Sequence, residues 1–328
     1  MKLRAVLAAI AMCLSALSAH AANVGFQETR VPDAGGSPLV VGVWYPTDAT
    51  PHDQRLELFS QTVAADGRVA GMRLPLVVMS HGTGGWYGEH IDTALALARA
   101  GFVVAAVSHT GDTYDDTSRN VNIQDRPRHI HEVIDFMTRV WPGHAKIDVR
   151  RIGLFGFSSG GLTTLVVAGG VPDLHTIADH CLAHAEYFDC RMLRAAHLDP
   201  ATIPIPPASA WLHDPRIRAA VVAAPALGFS FGRKGLKGVT IPIQLWRAEN
   251  DHILPSPDYA DAVRASLPRS PEFHLVDNAD HFDFLSSCPE ALARRVPEIC
   301  TSRPGFDRTA FHAAFDASVV AFFNRTLR

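Results

Sequence analysis

Several things are missing from this sequence, and each absence removes a class. There is no basic excess: 30 Lys and Arg against 33 Asp and Glu give a formal net charge of −3. A nucleic-acid partner would want a basic surface, so none is expected. There is no G-K-[ST], and the glycines at 82, 84 and 88 miss the G-x-G-x-x-G spacing by one, so a phosphate loop is discounted. No cysteine spacing is C-x-x-C, which argues against a zinc site and leaves the expectation of no metal and no cofactor. Internal repeats and low-complexity tracts are absent. Past the first twenty-one residues no run is apolar and long enough to suggest a transmembrane segment. What is left is ordinary globular composition, 47% hydrophobic and 19% charged, in 328 residues. That length allows about two domains or one large α/β domain.

The amino end reads as a signal peptide over residues 1–21. Lys2 and Arg4 precede the apolar run AVLAAIAMCLSAL, and Ala19-His20-Ala21 supplies a small-x-small cleavage site. Met12 before Cys13 argues against a lipid anchor, so the mature chain, 22–328, is expected to be periplasmic or secreted. Export permits disulfides. Four cysteines remain in two close pairs, and their spacing favours Cys181–Cys190 and Cys288–Cys300.

Along the mature chain, PLVVGVWYPT (38–47) reads as a strand, and LPLVVMS (74–80) as a strand buried on both faces. Helical spacing over 88–101 is followed by a strand at 102–109 and an amphipathic helix at 126–141. RRIGLFGFS then reads as a strand and SGGLTTLVVAGG as a helix. Strand alternating with helix implies a mostly parallel central sheet flanked by helices, in a single domain. Residues 171–214, with many prolines, histidines and aspartates, break the rhythm and read as a cap-like insertion. Strands resume at 217–226, 239–250 and 272–278, with helices at 256–268 and 306–328.

One short stretch carries the chemistry. In Gly156-Phe157-Ser158-Ser159-Gly160 a serine sits between an apolar strand and a helix, with glycine two residues to either side. A tight strand-to-helix turn lifts such a serine above the sheet edge and crowds its neighbours, which glycine relieves. A serine nucleophile needs a base, and the base needs an orienting acid. Asp251 follows one later strand, with Glu249 in reserve, and His281 follows the last. All three stand at carboxyl ends of strands, where sites form in such sheets. The oxyanion donors are read as the backbone N–H groups of Ser159, at a helix N-terminus, and of Thr83, in His81-Gly82-Thr83-Gly84-Gly85.

With these residues in place, the sequence resembles the α/β-hydrolase superfamily, and within it the dienelactone hydrolase-like and platelet-activating-factor acetylhydrolase-like bacterial enzymes. VGVWYPT, SHGTGG, GFSSGG, RAENDHILP and ADHFDFL follow that pattern in order. The resemblance implies Ser158, Asp251 and His281 as a triad, Thr83 and Ser159 as oxyanion donors, and a small-molecule ester as substrate: a short-chain acyl ester or a lactone. True dienelactone hydrolases use a cysteine nucleophile, and position 158 is serine, so that name does not fix the substrate. A serine peptidase of the same fold, or a silent binding protein built on it, is the rival reading. Trp86, Tyr87 and His109 are further candidates for the pocket. His129, His131 and Glu132 are expected to lie on a solvated helix face, since positions i and i+2 point to different sides of a helix.

Overall fold

The computed structural model describes residues 22–328, so the expected signal peptide at 1–21 lies outside the described residues. Ten strands form one sheet. They are β1 (Asn23–Val31), β2 (Leu39–Thr47), β3 (His52–Leu56), β4 (Phe59–Ala65), β5 (Leu74–Ser80), β6 (Val103–Ser108), β7 (Ile147–Phe157), β8 (Ile217–Ala223), β9 (Ile243–Ala248) and β10 (Glu272–Val276). Across the sheet the order is β10-β9-β8-β7-β5-β6-β2-β1-β4-β3. The six strands from β10 to β6 run parallel, while β2 pairs antiparallel with both β6 and β1.

The helices are α1 (Ile91–Arg99), α2 (Asp125–Arg139), α3 (Ser159–Val167), α4 (Thr176–Ala183), α5 (Phe188–Ala195), α6 (Gly232–Leu236), α7 (Ala260–Ser266), α8 (Glu290–Ala293), α9 (Pro297–Cys300) and α10 (Arg308–Thr326). They cover both faces. Leu76 and Val78 of β5 join one core with Ile130, Ile134 and Met137 of α2 and Leu165 of α3. Val77 and Met79 face the other way, into a core with Leu97 of α1 and Phe315, Val319 and Phe323 of α10. This two-sided burial is why the central strands carry no polar alternation. The insertion folds as α4 and α5 with a short 3₁₀ turn, and the Cys181–Cys190 disulfide ties the two helices together. Cys288 and Cys300 form the second bridge. Among the described residues no helix is long and apolar enough to cross a membrane.

The register puts the carboxyl edge in one place. Ser80, the last residue of β5, pairs with Gly156 of β7, and Phe157 pairs with Ala223, the last residue of β8. The loops that follow β5, β7, β9 and β10 therefore open on the same edge.

Candidate active site

Ser158 sits between β7 and α3 with φ 54° and ψ −117°, a backbone conformation that non-glycine residues rarely adopt. The surroundings hold it there. Its N–H donates to Ala223 O at 3.0 Å, and its carbonyl accepts from Gly161, Leu162 and Ala226. The flanking glycines are sterically required. A Cβ on Gly156 would lie 2.0 Å from Gly160 O, and one on Gly160 would lie 1.9 Å from Ser80 O. The glycine spacing in the sequence is thus the footprint of a turn packed against its own neighbours and the end of β5.

His281 reaches this turn from the segment after β10. Its Nδ1 lies 2.8 Å from Asp251 Oδ2, and its Nε2 lies 3.1 Å from Ser158 Oγ. A carboxylate only accepts, so Nδ1 carries the proton and Nε2 is free to accept from the serine hydroxyl. Asp251 is itself fixed, because its Oδ1 accepts from the N–H groups of Ile253 and Leu254 at 3.0 and 2.7 Å. All three side chains are almost wholly buried. Glu249 points elsewhere and accepts from Asn278 N. Asp280 and Asp283 cap the turn that carries His281, and Asp283 is anchored by Arg308 and Ser302.

The loop after β5 is held almost entirely from beneath. Arg126, 2% exposed, donates to His81 O at 2.6 Å, to Gly82 O at 2.9 Å, and through both Nε and Nη2 to Asp112 Oδ2. Asp112 Oδ1 in turn accepts from Gly84 N at 2.8 Å, and Glu89 accepts from Gly82 N at 3.0 Å. Gly85 N donates back to Gly82 O. That leaves Thr83 N–H without a partner among the described residues. Ser159 N–H, at the first position of α3, has no intrahelical partner either. The hydroxyls of Thr83 and Ser159 meet at 2.5 Å, which ties the loop to the start of the helix. Two uncommitted donors beside a buried serine can bind an oxyanion.

Burial shapes the charges under this loop. Desolvation lowers the pKa of both His81 and His109, keeping the rings neutral, and the nearby Arg126 guanidinium adds to this. Burial pushes the Glu89 carboxyl up to about 8.

A cavity of about 220 Å³ opens on Ser158, Ser159 and Thr83. Leu162, Leu174, Ile177, Met192, Leu193 and Leu254 are among its apolar walls. The insertion thus supplies much of the lining, as a cap would. Trp86, Tyr87 and His109 do not line this cavity, which corrects the expectation drawn from their position in sequence. Tyr87 is buried, with its hydroxyl on Glu28 and its ring beside Trp44. Trp86 packs between Phe59 and Tyr114. His109 is fully buried, with Nε2 2.8 Å from Ser80 Oγ and Nδ1 3.1 Å from His129. His129 is likewise buried rather than solvated, because α2 turns that face toward the loop it supports.

The pairing of Arg126 with Asp112 leaves no signal in the sequence. An arginine opening an amphipathic helix, two residues before Arg128, looks like a surface charge, and its partner lies fourteen residues earlier in a polar loop. Away from this site, Asp92, His312 and Asp316 converge where α1 meets α10. Ser286 and Thr93 donate to the two carboxylates, so the group reads as a polar tie between helices.

No protein-family model matches the chain, and no curated protein matches it. Among solved structures, a ferulic acid esterase from Streptomyces cinnamoneus is similar, with a TM-score of 0.63 and 19% identity over 93% of this chain and 90% of that one. The chain has the α/β-hydrolase fold. In all, 1022 solved chains match, so the fold by itself selects no activity. Function must come from the site.

Proposed function

We propose that the protein is a serine hydrolase of carboxylic esters that works through an acyl-enzyme. The observation that carries this is the placement of His281 between Ser158 Oγ at 3.1 Å and Asp251 Oδ2 at 2.8 Å, at the mouth of an apolar cavity. In the reaction, Ser158 Oγ attacks the ester carbonyl while His281 Nε2 takes its proton. The N–H groups of Thr83 and Ser159 receive the negative charge that develops on the carbonyl oxygen. His281 then delivers the proton to the leaving alkoxide. Asp251 keeps the imidazole in the required tautomer and stabilises the imidazolium. Water, deprotonated by the same histidine, releases the acid. No step calls on a cofactor.

The apolar walls favour esters of small to medium acyl groups, lactones included. The same fold in a ferulic acid esterase supports the ester reading, as does the resemblance to dienelactone hydrolase-like and platelet-activating-factor acetylhydrolase-like enzymes. Residues 22–328 form one domain on this reading, with 171–214 as its cap. Residues 1–21 direct it to the periplasm or outside the cell. The two disulfides are compatible with an oxidising compartment.

The test is a panel of p-nitrophenyl esters of rising chain length alongside peptide p-nitroanilides, with wild type and Ser158→Ala. Ester turnover that is abolished in Ser158→Ala supports the reading. Turnover of amides in preference to esters would move the protein to the peptidases, and no turnover with an unreactive serine would make it a binding protein.

A further inference from the structure

The cavity beside Ser158 holds a carboxyl group that the acyl-transfer steps do not use. Asp189, in the first turn of α5, is the one ionisable side chain among the described residues that line it. Its side chain is 15% exposed. Placing a carboxylate beside Phe188, Met192 and Leu193, in a lining that is mostly apolar, is costly unless donors meet it. Two do. Tyr259 Oη, on a fully buried residue, donates to Asp189 Oδ2 at 3.0 Å. Cys190 N donates to Oδ1 at 2.9 Å. Behind Tyr259 stands His180, with Nε2 3.1 Å from the tyrosine hydroxyl and its ring stacked on Phe229 at 3.6 Å.

The chain His180–Tyr259–Asp189 is therefore hydrogen-bonded at both links. The Cys181–Cys190 disulfide fastens it further, because it joins the residue after His180 to the residue after Asp189. A carboxylate has about four acceptor positions; Tyr259 Oη and Cys190 N fill two, and His180 Nε2 stands 3.7 Å from Oδ2. Asp189 also lines the cavity, where a further donor can meet it. If Asp189 merely favoured the N-terminus of α5, an exposed position would serve, and neither the buried tyrosine nor the histidine behind it would be needed.

Resting on the ester-hydrolase reading above, we propose that Asp189 is a specificity-determining residue that accepts a hydrogen bond from a neutral hydroxyl on the acyl group, so that the preferred substrates are esters of hydroxyaryl or hydroxyalkyl acids. A neutral donor fits better than an ammonium. The rest of the lining offers no second anion to offset a buried cation, and its other polar residues, such as Asn120, Asn122 and Gln124, are neutral. Burial raises the Asp189 pKa, in keeping with a carboxyl that gains from one more donor.

The experiment compares kcat/KM for matched p-nitrophenyl esters in wild type, Asp189→Leu and Asp189→Asn. The pairs are 3-(4-hydroxyphenyl)propanoate against 3-phenylpropanoate and 6-hydroxyhexanoate against hexanoate, with 6-aminohexanoate as a cationic arm. Wild type should favour the hydroxylated member of at least one pair by roughly 10- to 100-fold, the range for a hydrogen bond to a charged acceptor. Asp189→Leu should bring that ratio to about one, chiefly by slowing the hydroxylated ester. Asp189→Asn keeps the shape and should lower the ratio several-fold, so it carries the test if the leucine variant does not fold. A wild-type ratio near one for both pairs, a ratio unmoved in both variants, or a preference for the ammonium ester overturns the proposal. A wild type that hydrolyses no ester overturns the ester reading together with this one, whereas hydrolysis without the ratio overturns this one alone.

Discussion

The support beneath the loop proposed to bind the oxyanion gives the sharpest quantitative expectation. Arg126 is almost fully buried and bonds two loop carbonyls and Asp112, which holds Gly84 N–H. Arg126→Met removes the charge and leaves Asp112 buried without its partner, which should destabilise the fold by about 3–5 kcal/mol. It also frees the carbonyls of His81 and Gly82, so Thr83 N–H loses its fixed aim. Losing one oxyanion donor costs about 10²–10³ in kcat, or roughly 2.7–4 kcal/mol of transition-state stabilisation. The two effects separate in the double variant Arg126→Met with Asp112→Leu. Removing both charges should return most of the stability, because no unpaired charge remains. It should not return kcat, because Gly84 N–H and the two carbonyls still lack their anchors. The assay is thermal unfolding beside steady-state hydrolysis of a p-nitrophenyl ester, with KM nearly constant in every variant. A double variant that recovers stability and kcat together would refute the reasoning, and so would a single variant with unchanged kcat.

Other expectations follow from the same contacts. Asp251→Asn should lower kcat by about 10⁴ by favouring the wrong tautomer of His281, while Glu249→Gln should cost far less; steady-state kinetics of the two decides it. Replacing Cys288 and Cys300 by serine closes no loop and should cost about 3 kcal/mol of stability on the chain-entropy account, with activity lost at temperatures where the chain is still folded. Replacing Cys181 and Cys190 should instead shift acyl preference, read on the ester panel. Glu89, raised from 4.5 to about 8, binds more protons folded than unfolded between those values, so its contribution to stability is fully present below about 4.5 and is lost as pH rises through 8. Glu89→Gln keeps an acceptor for Gly82 N–H and removes that loss. Discounted for its partial solvent contact, the variant should be more stable at pH 9 by on the order of 2 kcal/mol and no more stable at pH 4, as read by denaturant titration.

The parts legible in the sequence are those whose physics is local. Buried parallel strands read as apolar runs, and the steric demands of the turn at Ser158 left glycines at 156 and 160. His281 and Asp251 could be picked because both follow strands that end on one edge. The N-terminal strands β1, β3 and β4 escaped because edge and hairpin strands with one wet face carry only a short, polar-interrupted pattern, such as HDQRL in β3. The helices α4 and α5 escaped because each has only 8 residues and their packing is set by a disulfide. Nearness in sequence misled at Trp86, Tyr87 and His109, where the chain turns away from the cavity, burying Tyr87 and His109 and leaving Trp86 half-buried against Phe59. The Arg126–Asp112 support and the Asp189 wall depend on contacts between distant loops, and no residue spacing records them.

The most direct test of the account is peptide mapping after reaction with a fluorophosphonate, with fragmentation that separates Ser158 from its neighbour Ser159. The prediction is one adduct per chain, on Ser158 Oγ, formed within minutes in wild type and slowed by several orders of magnitude in His281→Ala, whose fold is checked by circular dichroism. An adduct on Ser159, or labelling of Ser158 that is as fast without His281 as with it, would contradict the account.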